Sequence, residues 1–178
     1  MNYYQQVKQN SISLRDVPEQ HRTYELCLAA IQQTGRALTL RYVPDQHRTY
    51  ELCLTAVQQT GRALRDVPDQ HKTVELCTTA IQQNGYALQD TPEHLKTYEL
   101  CTTAVQQNGS LLQYVPDQHK TKELCLTAVQ QYSGSLEFVP IHLKTFELCQ
   151  TALLHSHHHI YILDCYDVIN YIPNKFIL

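Results

Sequence analysis

Six cysteines recur along the chain at near-constant spacing: Cys27, Cys53, Cys77, Cys101, Cys125 and Cys149. The first interval is 26 residues and the next four are 24. Pro18, Pro44, Pro68, Pro92, Pro116 and Pro140 keep the same intervals. A period of roughly 20–50 residues is the signature of a stacked array, in which each unit buries its apolar face only against its neighbours. Such a chain does not build one central core. It builds a series of small ones.

One full unit, Pro44 to Val67, reads PDQHRTYELCLTAVQQTGRALRDV. Its first half can be laid down at each of the six prolines, and the first linker carries two extra residues. A half-unit precedes them, because VKQNSISLRDVP at Val7 to Pro18 matches VQQNGSLLQYVP at Val105 to Pro116. In the fifth unit the glycine slips by one place, to Gly134, and after His155 the pattern ends. This divides the chain into an N-terminal half-repeat over 1–17, an array over 18–154 and a divergent C-terminal cap over 155–178.

Within a unit, Thr23 precedes YELCLAAIQQT and then Gly35. A threonine hydroxyl accepts from an orphan N–H of a first helical turn, and a glutamate two places on suits the helix dipole. Glycine tolerates the left-handed backbone of a C-terminal cap. The frame predicts a helix of about eleven residues, close to the mean length. At about 100° per residue, Leu26, Cys27, Ala30, Ile31 and Thr34 share one face, and Glu25, Ala29 and Gln33 share the opposite one. The rest of the unit, RALRDV followed by PEQHR, is shorter. Proline biases the residue before it away from helix, so this part reads as a short second helix or two single turns broken at the proline. The leucine-rich-repeat signature is absent, and ELCLTAVQQ has no strand-like alternation. The expected fold is all-α, an α-solenoid of about six 24-residue two-helix repeats.

Seven Cys and ten His invite a metal or disulfide reading, and the spacing opposes it. Equivalent residues of stacked units lie about 10 Å apart, whereas a disulfide needs Cα atoms within about 7 Å. The six ladder cysteines are therefore expected to be free and buried. That favours a reducing, cytoplasmic compartment. His21, His47, His71 and His119 share a place that Leu95 and Leu143 occupy in the other units. A place that accepts either His or Leu is a packing position.

Two columns vary on this fixed frame. Tyr24, Tyr50, Tyr98 and Phe146 share a helix position with Val74 and Lys122, and four residues on lie Leu28, Leu54, Thr78, Thr102, Leu126 and Gln150. In an array, variation on a constant framework is where recognition resides, so Tyr24, Leu28, Tyr50, Leu54, Tyr98, Leu126 and Phe146 are candidate partner-binding residues. The glutamine pairs, such as Gln130 and Gln131, are expected to hydrogen-bond between units or line a groove. Basic residues before each threonine, such as Arg22 and Lys72, are expected to be solvated or paired with glutamate.

Outside the array, His155, His157, His158 and His159 lie near Asp164 and Cys165. These side-chain types suit zinc, but HSHHH lacks separated ligand pairs. A metal-binding protein or an enzyme at this cluster stays an alternative, with a solvated loop as the plainer reading. Nothing supplies an oxyanion hole or an orienting third group with recognisable spacing. Ile160 to Leu178 is rich in Ile and Tyr and reads as a cap over the last layer, or as a segment for self-association into a structural homo-oligomer.

Composition narrows the rest. The formal net charge of −3 argues against a nucleic-acid binder driven by phosphate contacts. No uninterrupted apolar run reaches the roughly 18 residues of a membrane span, and MNYYQQVKQN lacks the apolar core of a signal peptide.

The phrases ELCLTAVQQTGRAL, AVQQNGSLLQYVPDQHKTKELC and TPEHLKTYELC resemble a family of uncharacterised bacterial helical repeats running A-V-x-Q-N-G-x-A-L-x-Y-V-P-E-x-L-K-T-x-E-L-C-L. The resemblance covers about Val7 to Leu154 and departs at Ser11, at Gly134 and after His155. Such repeats look like ones found in proteins of intracellular bacteria, including candidate secreted effectors. The resemblance transfers no catalytic residue and no cofactor. It implies a bacterial origin and a binding role, with translocation into a host cell. The expected function is a non-enzymatic scaffold that binds another protein.

Overall fold

The computed structural model describes residues 2–34 and 37–155. Every regular element among them is helical, either α or 3₁₀. The α-helices are α1 (Tyr3–Lys8), α2 (Tyr24–Thr34), α3 (Tyr50–Gln59), α4 (Val74–Gln83), α5 (Tyr98–Gln107), α6 (Lys122–Gln131) and α7 (Phe146–His155). The chain divides into two compact units, residues 1–95 and residues 96–178.

The sequence frame explains where α2 to α7 begin. The hydroxyls of Thr23, Thr49, Thr73, Thr97, Thr121 and Thr145 accept from the N–H three residues on, at 3.2–3.4 Å. Each cap satisfies one donor that the first turn leaves orphaned. A glutamate follows in every first turn, at the positive end of the helix dipole.

Between helices the chain runs through two 3₁₀ pieces, the second of the two forms expected. The longer ones are Ala37–Tyr42, Gly61–Asp66, Gly85–Asp90, Gly109–Tyr114 and Ser133–Phe138. The last four each end at an extended residue before proline, as the ring's clash with the preceding residue requires: Val67 has φ −76° and ψ 128°. Proline then precedes a three-residue turn, and its carbonyl accepts from the residue three places on, as His71 N–H does to Pro68 at 2.9 Å. Short 3₁₀ pieces of this kind tolerate their poorer hydrogen-bond geometry because they are short.

In residues 1–95, α2 packs against α1 and α3, and α3 against α4, while the long 3₁₀ segments lie side by side in a second layer. In residues 96–178, α6 packs between α5 and α7, with Gly109–Tyr114 and Ser133–Phe138 adjacent beneath. Within each unit the repeats thus stack neighbour on neighbour, in the manner of an α-solenoid. The core lies between the two layers. On α3 it takes Leu52, Cys53, Ala56 and Val57, and on α6 Leu124, Cys125, Ala128 and Val129. The 3₁₀ layer contributes Ala63, Leu64, Ala87, Leu88, Leu111, Leu112 and Leu136. Leu26, Cys27, Ala30 and Ile31 are buried on α2, on the face that the periodicity assigns to the core.

The glycines play a different part from the one expected. Helix α3 ends at Thr60, which is extended at φ −158°, and Gly61 opens the next 3₁₀ segment without a left-handed backbone. Gly61 is needed for close approach: a Cβ there would run into the Ala80 carbonyl oxygen of the next helix. Gly109 stands in the same relation to Ala128. These glycines set how closely one repeat lies against the next.

Candidate interaction surfaces

At the first helical position, Tyr24, Tyr50 and Lys122 reach toward the following repeat. The Tyr24 ring meets the His47 ring edge-on at 6.4 Å. The Tyr50 hydroxyl donates to Glu75 Oε2 at 3.4 Å. Lys122 Nζ lies 3.0 Å from Glu147 Oε2. Tyr24 and Tyr50 are half-buried by these contacts, whereas Val74, Tyr98 and Phe146 are 46%, 45% and 50% exposed. Four residues on, Leu28, Leu54 and Leu126 are half-buried. The two columns therefore divide: some members pack between repeats, and others present apolar surface to solvent.

The six ladder cysteines are free and buried. Burial pushes the thiols of Cys27, Cys53 and Cys125 up to about 11, against weak opposition from Arg22, Arg48 and Lys120. A thiol held this far above neutrality is no nucleophile. At the histidine place, His47, His71, His119, Leu95 and Leu143 are half-buried, and His21 stacks near Tyr3 at 5.3 Å between ring centroids.

The basic ladder is not simply solvated or paired with glutamate. Arg22 donates through Nε to the Val17 carbonyl at 2.8 Å and through Nη1 to the Tyr42 carbonyl at 2.9 Å. Arg48 donates to the carbonyls of Val43 and Arg41 at 2.9 and 3.2 Å, and Lys96 donates to that of Tyr114 at 3.0 Å. These carbonyls lie at the ends of 3₁₀ segments, and cations suit that negative end. Lys72 and Lys120 occupy the same place, 10% and 9% exposed, paired with Asp69 and Asp117 at 2.9 and 2.8 Å. The glutamine expectation is met at Gln131, whose side chain accepts from Gly109 N–H at 2.8 Å and donates to Gln106 O at 3.2 Å. Beside it, buried Ser135 donates to Gly109 O at 2.9 Å.

The long 3₁₀ segments supply a surface that sequence reasoning overlooked. Two further columns vary along it: in residues 1–95, Arg62 and Tyr86, then Arg65 and Gln89, all exposed, and in residues 96–178, half-buried Ser110 and buried Gly134, then exposed Gln113 and Glu137. Between them sit the constant buried residues Leu64, Leu88, Leu112 and Leu136. In residues 1–95 an open cleft of about 630 Å³ lies between neighbouring segments, lined by Arg62, Arg65, Asp66, Tyr86, Gln89 and Asp90. In residues 96–178 the corresponding cleft is lined by Ser110, Gln113, Tyr132, Gly134, Glu137 and Phe138. The signal was present in the sequence, because these columns differ between units around an unchanging leucine.

The candidate metal residues His157, His158, His159 and Cys165, with Asp164 and Ile160 to Leu178, lie outside the described residues. His155 is described only as the last residue of α7. Among the described residues, no three His, Cys, Asp or Glu side chains gather as a group that could hold a metal ion. No helix among them is long and apolar enough to cross a membrane.

No curated protein and no solved structure matches the chain. A family model described as a domain of unknown function, DUF4116, matches twice in tandem, at residues 49–96 and 97–144. Each match begins at a threonine N-cap, Thr49 or Thr97, and spans two of the 24-residue repeats. Since the two matches together cover more than half of the sequence, the chain belongs to this helical-repeat family of unknown function, DUF4116.

Proposed function

We propose that the chain is a non-enzymatic helical-repeat scaffold that binds another protein. The observation that supports this is the contrast between constant buried positions and variable exposed ones on the same frame. Leu, Cys and Ala recur in the core of every repeat, while Tyr, Val, Lys and Phe alternate at the first helical position. Core identity sets stacking, and the exposed positions are left free to recognise. Tyr98, Val74 and Phe146 offer exposed apolar contact on the helix layer, with Leu28, Leu54 and Leu126 beside that column.

Six free thiols without a disulfide favour a reducing compartment such as the cytoplasm. The resemblance to repeats of intracellular bacteria extends the proposal to an effector-like protein acting on a host protein after translocation. An affinity pull-down with the full chain, followed by mass spectrometry, tests the scaffold reading. Changing Tyr50→Ala and Tyr98→Ala together is expected to lose at least one partner while far-ultraviolet circular dichroism stays unchanged. Retention of every partner would count against the helix columns, and absence of any partner for the unaltered chain would count against the scaffold.

A further inference from the structure

We propose that the cleft between Gly61–Asp66 and Gly85–Asp90 takes an acidic segment of a partner protein. The inference rests on the scaffold reading and assigns it a site and a partner chemistry. Arg62 and Arg65 rise from one wall, exposed and without a hydrogen bond among the described residues, and Tyr86 and Gln89 rise from the other. Tyr86 is 44% exposed. Arg41, on the preceding 3₁₀ segment, pairs with Asp66 across 3.9 Å, from Nε to Oδ1. Guanidinium forks match carboxylates in bidentate pairs, and arginine and tyrosine are the residues that most often anchor protein interfaces.

The floor decides between polyanions. Asp66 and Asp90 are half-buried in the same cleft, with Lys72 and Arg65 near Asp90. A nucleic-acid strand carries a negative charge at every nucleotide and meets these carboxylates as well as the arginines. A peptide with spaced carboxylates places them on the arginines and offers its backbone N–H groups to the aspartates. The cleft at the same place in residues 96–178 has Ser110, Gln113 and Glu137 where this one has Arg62, Arg65 and Gln89. It serves as a built-in comparison with similar geometry and no arginine.

The test uses the full chain and two fluorescent probes, a 12-residue Glu-Gly repeat peptide and a 12-nucleotide single-stranded RNA, read by anisotropy. The peptide is expected to bind saturably and about tenfold tighter than the RNA, weakening as salt is raised. Arg62→Glu with Arg65→Glu is expected to lose about tenfold or more, Arg62→Gln with Arg65→Gln less, and Gln113→Glu nothing. Absence of saturable peptide binding, tighter RNA binding, or an unchanged affinity in both double variants would overturn the proposal. The pull-down separates it from its premise. Partners held equally by the unaltered chain and by the Arg62→Glu, Arg65→Glu variant remove the acidic-segment site and leave the scaffold, whereas no partner for either removes the scaffold.

Discussion

Whether a glycine can be replaced depends on what its missing Cβ would meet. Replacing Gly by Ala stabilises by about 0.4–1 kcal/mol when the site has room, because the unfolded chain loses freedom. At Gly61 the added methyl falls on the Ala80 carbonyl oxygen and comes within 3.1 Å of Asn84 Cβ. Backbone cannot swing aside, and overpacking costs about 1–3 kcal/mol. Gly61→Ala is therefore expected to destabilise by about 1–2 kcal/mol in urea denaturation. At Gly134 the atoms nearest to an added Cβ belong to the far end of the Tyr132 ring, at 2.6 Å, and that side chain is 50% exposed and can turn away. Gly134→Ala is expected to be near neutral. Equal losses at both glycines would sink the close-approach reading. Titration of the thiols gives a second expectation at this scale. Burial raises Cys27, Cys53 and Cys125 from 9.0 to about 11 in the fold. A group whose folded value lies above its unfolded one contributes stability that is complete below pH 9 and is lost as pH rises toward 11. The denaturation midpoint should hold steady up to about pH 9 and then fall, with a shallower fall when all three are changed to Ala. The burial of these cysteines was legible from their place on the apolar face. The purpose of Gly61 was not, because a left-handed cap and a close approach call for the same residue, and only the position of Ala80 tells them apart.

At the scale of the element, the weak joint of each repeat is the 3₁₀ segment. Its last carbonyls face no successor turn, and proline ends the run. Arg48 joins Val43 O and Arg41 O with one side chain and pairs with Asp45 Oδ1 at 3.2 Å. Hydrogen bonds to charged groups are worth about 1.5–3 kcal/mol each where the partner would otherwise be stranded, and less where water reaches the group. Arg48→Met is expected to destabilise by about 2 kcal/mol. Arg48→Lys is expected to lose less than half of that, since Lys96 serves a 3₁₀ carbonyl from the same place. Thermal denaturation of the two variants side by side checks the order, and an equal loss would show that the flat fork rather than the charge is required. At the helix starts, Thr73→Ala removes the acceptor for Leu76 N–H and is expected to cost about 1 kcal/mol. The threonine caps were legible because capping is local in sequence. The arginine bonds were not, because Arg22 reaches Tyr42 twenty residues away, and no pattern around Arg22 announces a carbonyl at that distance.

Stacking by neighbours sets what the whole molecule can lose. In residues 1–95, α2, α3 and α4 each pack on a helix beside them and on an adjacent 3₁₀ segment, so stability is close to a sum over neighbouring interfaces. Removing one whole period then leaves surfaces that still match. Deletion of Thr49 to Lys72 joins Arg48 to Thr73 and brings α4 to the place of α3. Leu76, Cys77, Ala80 and Ile81 replace Leu52, Cys53, Ala56 and Val57 against α2, with the same residue type at three of the four positions. Gly85 follows α4 as Gly61 follows α3. The shortened chain is expected to keep its helicity per residue and to melt cooperatively, at a lower temperature because one interface is gone. Deletion of Thr49 to Thr60 alone removes α3 but keeps its 3₁₀ segment, which then faces α2 out of register. That chain is expected to lose helicity well beyond the share of the residues removed. Circular dichroism of the two deletions decides the matter. Similar losses in both would mean that residues 1–95 hold together as one indivisible core rather than as a series. The 24-residue period was the most legible feature of the chain, and this comparison asks whether it is also the unit of its stability.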